Sequence, residues 1–221
     1  MNKPVSTKKT AGLGQKRNRD VNTKRILTAA EQCFAQLGFK GATMQAIADL
    51  SGIPKANLHY YFSSKEVLYR KVIEDVCEHW LAAAHFFDET DDPAEALAGY
   101  IGAKMDQARN RPNGSKVWAM EMLSGAPVID GYLQGALKPW LDQRTRKIEH
   151  WISQGKMDAI DPRTLFYMIW ATTQHYADFS QQIYVLNDNK ALSDGQFEQA
   201  KQQVSQIILV GVGLGGETFD D

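Results

Sequence analysis

Thr43–Lys65, TMQAIADLSGIPKANLHYYFSSK, is the stretch whose reading decides the fold. It reads as two short helices joined by a tight turn. Ile47, Ala48 and Leu50 fall on the inner side of the first helix. Ser51-Gly52 breaks that helix, because glycine tolerates the positive φ of a sharp turn. Ile53 enters the second helix, and Pro54 suits a first turn whose N–H has no helical partner. Leu58 and Phe62 recur at helical spacing and can pack back. Ala48, Gly52 and Leu58 keep the spacing of a helix-turn-helix: a small residue at the crossing, a turn glycine, an apolar anchor. Lys55, Asn57, His59 and Tyr60 stay outward, and these are types that contact phosphates and base edges in a major groove. A bare Ala-Gly-Leu spacing also fits any small helical hairpin. The run continues into HYYFSSKEVLY, where Ser63 and Glu66 make a capping box for a third helix. Lys65 sits in its first turn, where the helix dipole disfavours a cation, so an outside partner such as phosphate is expected.

Upstream, the spacing predicts a helix over about Val21–Leu37, with Ile26, Ala29, Ala30, Cys33, Phe34 and Leu37 as one apolar stripe. Gly38 suits its C′ position and Thr43 the N-cap of the next helix. Residues 1–19 read as a basic flexible arm, either a solubilising tail or a tracker of the DNA backbone. Residues 20–66 form the expected helix-turn-helix domain. The 221 residues carry a net charge of -1, unevenly spread. Through Lys71 there are 13 Lys/Arg against 4 Asp/Glu, and beyond it 12 against 22. A basic head on an acidic body points to a polyanion bound at one end only. Met1–Asn22 lacks the apolar core of a secretory signal, and no run approaches the roughly 18–20 apolar residues of a membrane span. A cytoplasmic protein without a membrane partner is expected. Cys33 and Cys77 each lie in an apolar helical pattern and read as buried free thiols.

Downstream the pattern stays helical, giving an all-α expectation of about nine helices, three of them in the head. A helix over Ser64–Phe87 precedes a loop from His85 to Asp92. Asp92-Pro93 with Glu95 opens the next helix, which should stop before Pro112-Asn113-Gly114. Val117–Leu123 follows, closed by Gly125. Pro127 opens a long segment to Gln154, kinked at Pro139, with Gly155 as its stop. Asp161-Pro162 starts a helix to about Val185, and Ser193 with Gln196 caps the last one, to Val210. Residues 67–212 make up a ligand-binding and dimerisation domain, and 213–221 a frayed, glycine-rich tail.

Phe166, Trp170, Thr173, Gln174 and Ala177 share one side of the helix from Asp161. A Trp and a Gln one turn apart suit a flat heterocycle, the indole stacking and the amide giving a donor and an acceptor. Trp80 can supply a second wall. Ordinary core packing of aromatics explains the tryptophans equally well, whereas a glutamine on that side needs partners. His175 and Asp178, at i and i+3, can ligate a metal but lack the third and fourth ligands of a zinc site.

The head, over about Thr23–Leu68, resembles the TetR family of one-component transcriptional regulators. The resemblance implies DNA contacts from Thr43, whose family counterpart contacts a phosphate, and from Lys55, Asn57, His59, Tyr60, Tyr61 and Lys65. Trp118–Pro127 (WAMEMLSGAP) and Phe166–Phe179 (FYMIWATTQHYADF) resemble the ligand domain of the pyrimidine-utilisation subfamily, the uracil-sensing Rut type. With the head included, that similarity spans about Arg17–Val210. It implies a pocket for uracil or thymine contacted by Trp170 and Gln174, with Trp80 on the helix leaving the head. Glu78–Phe87 and Pro139 depart from the family pattern. The expected protein is a homodimer on double-stranded operator DNA, a repressor controlled by a small-molecule effector, with no cofactor and no catalytic residue. Two-fold heads reach half-sites about 34 Å apart, and the last two helices supply the dimer contact. The rivals are a TetR-type sensor of another aromatic or lipophilic compound, an architectural DNA-bound protein, and a helical metal enzyme using His175 and Asp178.

Overall fold

The structure, a computed structural model, describes residues 8–215, with side chains from residue 18 onward. It divides into two compact units, Met1–Ile73 and Glu74–Asp221. All regular structure among the described residues is helical. None of their helices is long and apolar enough to cross a membrane.

The first unit is built on α1 (Lys8–Gly41), α2 (Met44–Ser51) and α3 (Lys55–Tyr61), and takes in the start of α4 (Lys65–Ala82). Residues 1–7 lie outside the described residues, and from Lys8 the backbone is helical. Once the core-facing turns nucleate α1, each further residue adds a hydrogen bond at little cost, and no proline intervenes. Gly38 (φ 67, ψ 172) breaks α1 at the expected place. Ile26, Ala30, Phe34, Ile47, Leu58 and Phe62 form the buried centre. Leu37 and Leu50, expected inside, are about half exposed. Ser64, not Ser63, caps α4, its Oγ accepting from the Val67 N–H at 3.2 Å. The units part at Ile73 and Glu74 rather than at residue 66, because Leu68, Tyr69 and Val72 are buried and Tyr69 meets Phe34 edge-on at 4.8 Å.

In the second unit, α4 gives way to a 3-10 turn at Ala83–His85 and to α5 (Phe86–Glu89), so the loop expected from His85 is partly helical. Asp92 caps α6 (Pro93–Asn110) as expected, accepting from the N–H groups of Ala94 and Glu95. α6 stops before Pro112-Asn113-Gly114 as expected, but those residues are already the first turn of α7 (Pro112–Leu123), which therefore opens ahead of Val117, because proline fits the opening position of a helix. Next come α8 (Asp130–Tyr132), a π-helical turn at Leu133–Leu137 and α9 (Lys138–Ser153). The long segment therefore divides just before Pro139, which has no N–H for Gly135. The helix from Asp161 divides at Phe179 into α10 (Pro162–Asp178) and α11 (Ser180–Leu186). The capping box of Ser193 and Gln196 opens α12 (Asp194–Val210).

Leu97, Tyr100 and Ile101 of α6, Ile148 and Trp151 of α9, Leu165, Phe166 and Ile169 of α10, and Ile208 of α12 form one core. The fraying expected from residue 213 is corrected as far as Gly215. Val212 is buried and its carbonyl accepts from the Asp158 N–H at 2.9 Å, while the Leu214 N–H donates to Leu209 O at 2.8 Å. Gly216–Asp221 lie outside the described residues.

Candidate functional site

In the head, α3 leaves Lys55, Asn57, His59 and Tyr60 exposed on one short helix. The turn that aims it is set by Gly52, left-handed at φ 62, while Arg25 Nη2 donates to Ser51 O at 2.8 Å. A Cβ at Gly52 would come within 3.0 Å of that guanidinium. Thr43 caps α2, its Oγ1 accepting from the Ala46 N–H at 3.1 Å, and its side chain remains exposed. Tyr60 is 73% exposed, edge-on to Tyr61 at 5.4 Å, with the Arg19 guanidinium 5.9 Å from its ring centre. Tyr61 is half-buried, and its hydroxyl accepts from Asn22 Nδ2 at 3.1 Å. Lys65 differs from the others. Its Nζ donates to Phe39 O at 2.8 Å and Ala42 O at 3.0 Å and lies 4.5 Å from the Phe39 ring centre. The partner expected for this first-turn cation is therefore internal: it neutralises carbonyls at the end of α1, and phosphate is not needed to explain it.

In the body, the predicted residues are divided over neighbouring places. Trp170 packs against Trp140 and Phe166, at 6.3 and 5.9 Å between ring centres, and its Nε1 donates to the Tyr100 hydroxyl at 2.7 Å. Thr173 is fully buried and its hydroxyl is donated to Ile169 O at 2.7 Å, which leaves it only acceptor capacity. Gln174 is half-buried one turn beyond Trp170. Trp80 meets Trp118 edge-on at 5.4 Å, and the Lys104 ammonium lies 3.9 Å from its ring centre. His175 is exposed and stacks on Phe179 at 4.9 Å, while Asp178 accepts from Ser115 Oγ at 2.6 Å. Among the described residues, no three His, Cys, Asp or Glu side chains converge as a metal site. Two surface clefts of about 420 and 380 Å³ are lined by other residues, along α6 and α12 and around Tyr176 and Phe197.

What the sequence reading missed is the polar chemistry around Trp80. Lys104 is only 3% exposed. Burial depresses its ammonium to about 7, with Cys77 and Asp178 pulling the other way. Burial raises the Asp178 carboxyl, against the Ser115 hydrogen bond and the Lys104 charge. It also pushes the Cys77 thiol up to about 11, although the Tyr132 hydroxyl is hydrogen-bonded to it. The signal was present in the sequence: Leu97, Tyr100, Ile101, Lys104, Met105 and Ala108 form one buried stripe of α6, and a lysine interrupts it.

An exposed reading helix in the first unit, and polar groups turned inward in the helical second unit, suit a ligand-responsive DNA-binding protein. The family model described as bacterial regulatory proteins, tetR family, matches residues 26–72, and that described as YcdC-like protein, C-terminal region, matches residues 73–215. This chain belongs to the TetR family of transcriptional regulators. Its TetR-family relatives include the HTH-type transcriptional regulator RutR of Escherichia coli K12, 41% identical over 206 residues, which are 92% of this chain and 96% of RutR. The ketosteroid transcriptional regulator KstR2 of Mycobacterium tuberculosis shares the fold with a TM-score of 0.70 at 22% identity, over 88% of this chain and 95% of that one. A TetR family transcription regulator from Marinobacter aquaeolei VT8 does so at 0.68 and 17% identity, over 86% and 96%. As a TetR-family member the protein is a DNA-binding transcriptional regulator, and α2 and α3 are its helix-turn-helix.

Proposed function

We propose that this regulator is a homodimeric repressor that binds operator DNA through α3 and responds to a pyrimidine base such as uracil or thymine. Lys55 and Asn57 read base edges from the front of α3, while Thr43, His59, Tyr60 and Tyr61 position the head on the backbone. The dimer forms through the last two helical stretches, where Leu186, Ile207 and Val210 are among the large apolar side chains left exposed.

The observation that carries the effector reading is one stripe of α10. Trp170, Gln174 and Asp178 follow at i, i+4 and i+8, with Trp170 bonded to Tyr100 and Asp178 bonded to Ser115. Gln174 stands between two anchored groups without a hydrogen-bonding partner of its own among the described residues. Its amide can accept from an imide N–H and donate to the neighbouring carbonyl. The likeness of Trp118–Pro127 and Phe166–Phe179 to the uracil-sensing subfamily supports the same ligand. The effector acts by preferring the dimer geometry that DNA does not.

Titration calorimetry of uracil, into the free dimer and into the dimer–operator complex, tests this. Uracil should bind the operator complex more weakly, by the same factor by which it weakens operator binding. Gln174→Leu should lose about tenfold or more in uracil affinity with operator binding intact. Equal uracil affinity in both states would refute the switch.

A further inference from the structure

Lys104 presents a physical problem that the fold does not solve. A lysine buried this deeply is normally paired, because an isolated ammonium in an apolar interior is costly. Here its Nζ rests on the face of Trp80, and among the described residues it has no hydrogen-bond acceptor and no ion-pair partner. The Asp178 carboxyl is close enough for its charge to be felt by Lys104, after that of Cys77, yet makes no ion pair with it. Asp178 is held from behind by Ser115, which fixes one oxygen. A buried donor on an indole face and an acceptor within reach of its charge are thus contributed by helices α4, α6, α7 and α10. Replacing Lys104 by methionine would fill the same volume and remove the cost, so folding alone gives no reason for a lysine.

We propose that Lys104 and Asp178 form a polar clamp for the effector: the Lys104 amine donates to a ring carbonyl, and the Asp178 carboxylate accepts from a ring N–H. The ligand class is a small flat heterocycle with adjacent carbonyl and N–H groups, a cyclic imide or lactam. Binding slides the amine off Trp80 and gives the indole face to the ring. The clamp works whether the amine is charged or neutral, since both forms carry N–H donors. In its choice of ligand it rests on the pyrimidine reading above, and it adds the two residues that select for the carbonyl and the N–H.

The test measures binding of uracil, thymine, hydantoin, succinimide and N-methylated uracils to the wild-type full-length dimer, Lys104→Met, Asp178→Asn and Gln174→Leu. Thermal melting and operator affinity are followed in parallel. In Lys104→Met, affinity for the ligands that bind should fall about tenfold or more, while the melting temperature holds or rises and operator binding is unchanged. Asp178→Asn should narrow the difference between a ligand and its N-methylated form. Uracil bound equally well by wild type and Lys104→Met would overturn the clamp and leave the pyrimidine reading standing. Binding of another imide in a Lys104-dependent way, with none of uracil or thymine, would do the reverse. No binding by any of the panel would overturn both.

Discussion

Lys55 and Lys104 show how differently the two units of this regulator are used. Lys55 stands exposed on a helix of seven residues, among other polar side chains that the fold does not need. Lys104 is buried inside the body, in a stripe whose other buried positions, Leu97, Tyr100, Ile101, Met105 and Ala108, are apolar or aromatic. The head shows its function on the outside, so its chemistry can be read from what the core leaves over. The body keeps its function in polar groups that the core would do better without. The first kind of site costs the fold little stability, and the second opposes it directly.

The sharpest way to break this comparison is Lys65, the head residue that behaves like a body residue. Removing its two charge-assisted hydrogen bonds in Lys65→Ala should destabilise the head by about 3 kcal/mol, measured by denaturant unfolding. Operator affinity should fall through unfolding, with the salt dependence of the remaining folded protein unchanged. A salt slope lower by roughly one ion, with full stability, would return Lys65 to the phosphate-binding set.

The body is tested by pH. The unfolded chain keeps a proton on Lys104 up to the ordinary lysine value of 10.5, whereas the folded chain releases it near 7. The unfolded state therefore binds more protons in between, and stability rises with pH across that window. Cys77 works in the opposite direction, but only above its ordinary value of 9.0, since burial raises it to about 11. Between pH 7 and 9 the lysine should thus contribute about 2 kcal/mol of rising stability, present in wild type and missing from Lys104→Met. A wild-type curve as flat as that of the variant would mean that Lys104 is better solvated than its burial indicates.

The smallest effect expected belongs to the head. Asn57→Ala should relax preference at one operator base pair by about 1 kcal/mol, read from competition among operator variants, with no change in melting temperature. Uniform weakening across all sequences would assign Asn57 to the phosphate backbone.

Where the sequence was legible, the determinants were local. Gly38, Gly52, Asp92-Pro93 and the Ser193–Gln196 box each act within one turn, and each lies where the pattern put it. α6 does stop before Pro112-Asn113-Gly114, but the start of the next helix was placed too late, at Val117, because proline ends one helix by the same property that lets it begin another. Ser63 and Ser64 offer the same hydroxyl one residue apart, and only the path of the chain chooses between them. Leu37 and Leu50 carry the periodicity of buried residues, yet their exposure depends on what packs from elsewhere. In the body, the Trp–Gln spacing was visible, but the bond from Trp170 to Tyr100 joins residues 70 apart in sequence. Lys104 was visible as a break in an apolar stripe, while its distance from Asp178 was not, because no local rule relates two helices so far apart along the chain.

The π-helical turn at Leu133–Leu137 has a consequence for how this body can change over time. Such a turn holds one residue more than an α-helical turn, here closed by the Lys138 N–H reaching back to Leu133 O. The extra residue works as a phase adapter. It lets Tyr132 address Cys77 while Leu141 and Arg144, further along, stay turned into the interior. Losing one residue from the turn would merge α8 and α9 into a single continuous helix, and everything upstream would rotate by about 100° about the axis. Tyr132 would then leave Cys77, although no side chain in the core had been altered. Length in this segment is therefore under a constraint as strict as composition, and an insertion or deletion there would reshape the interior more than most substitutions.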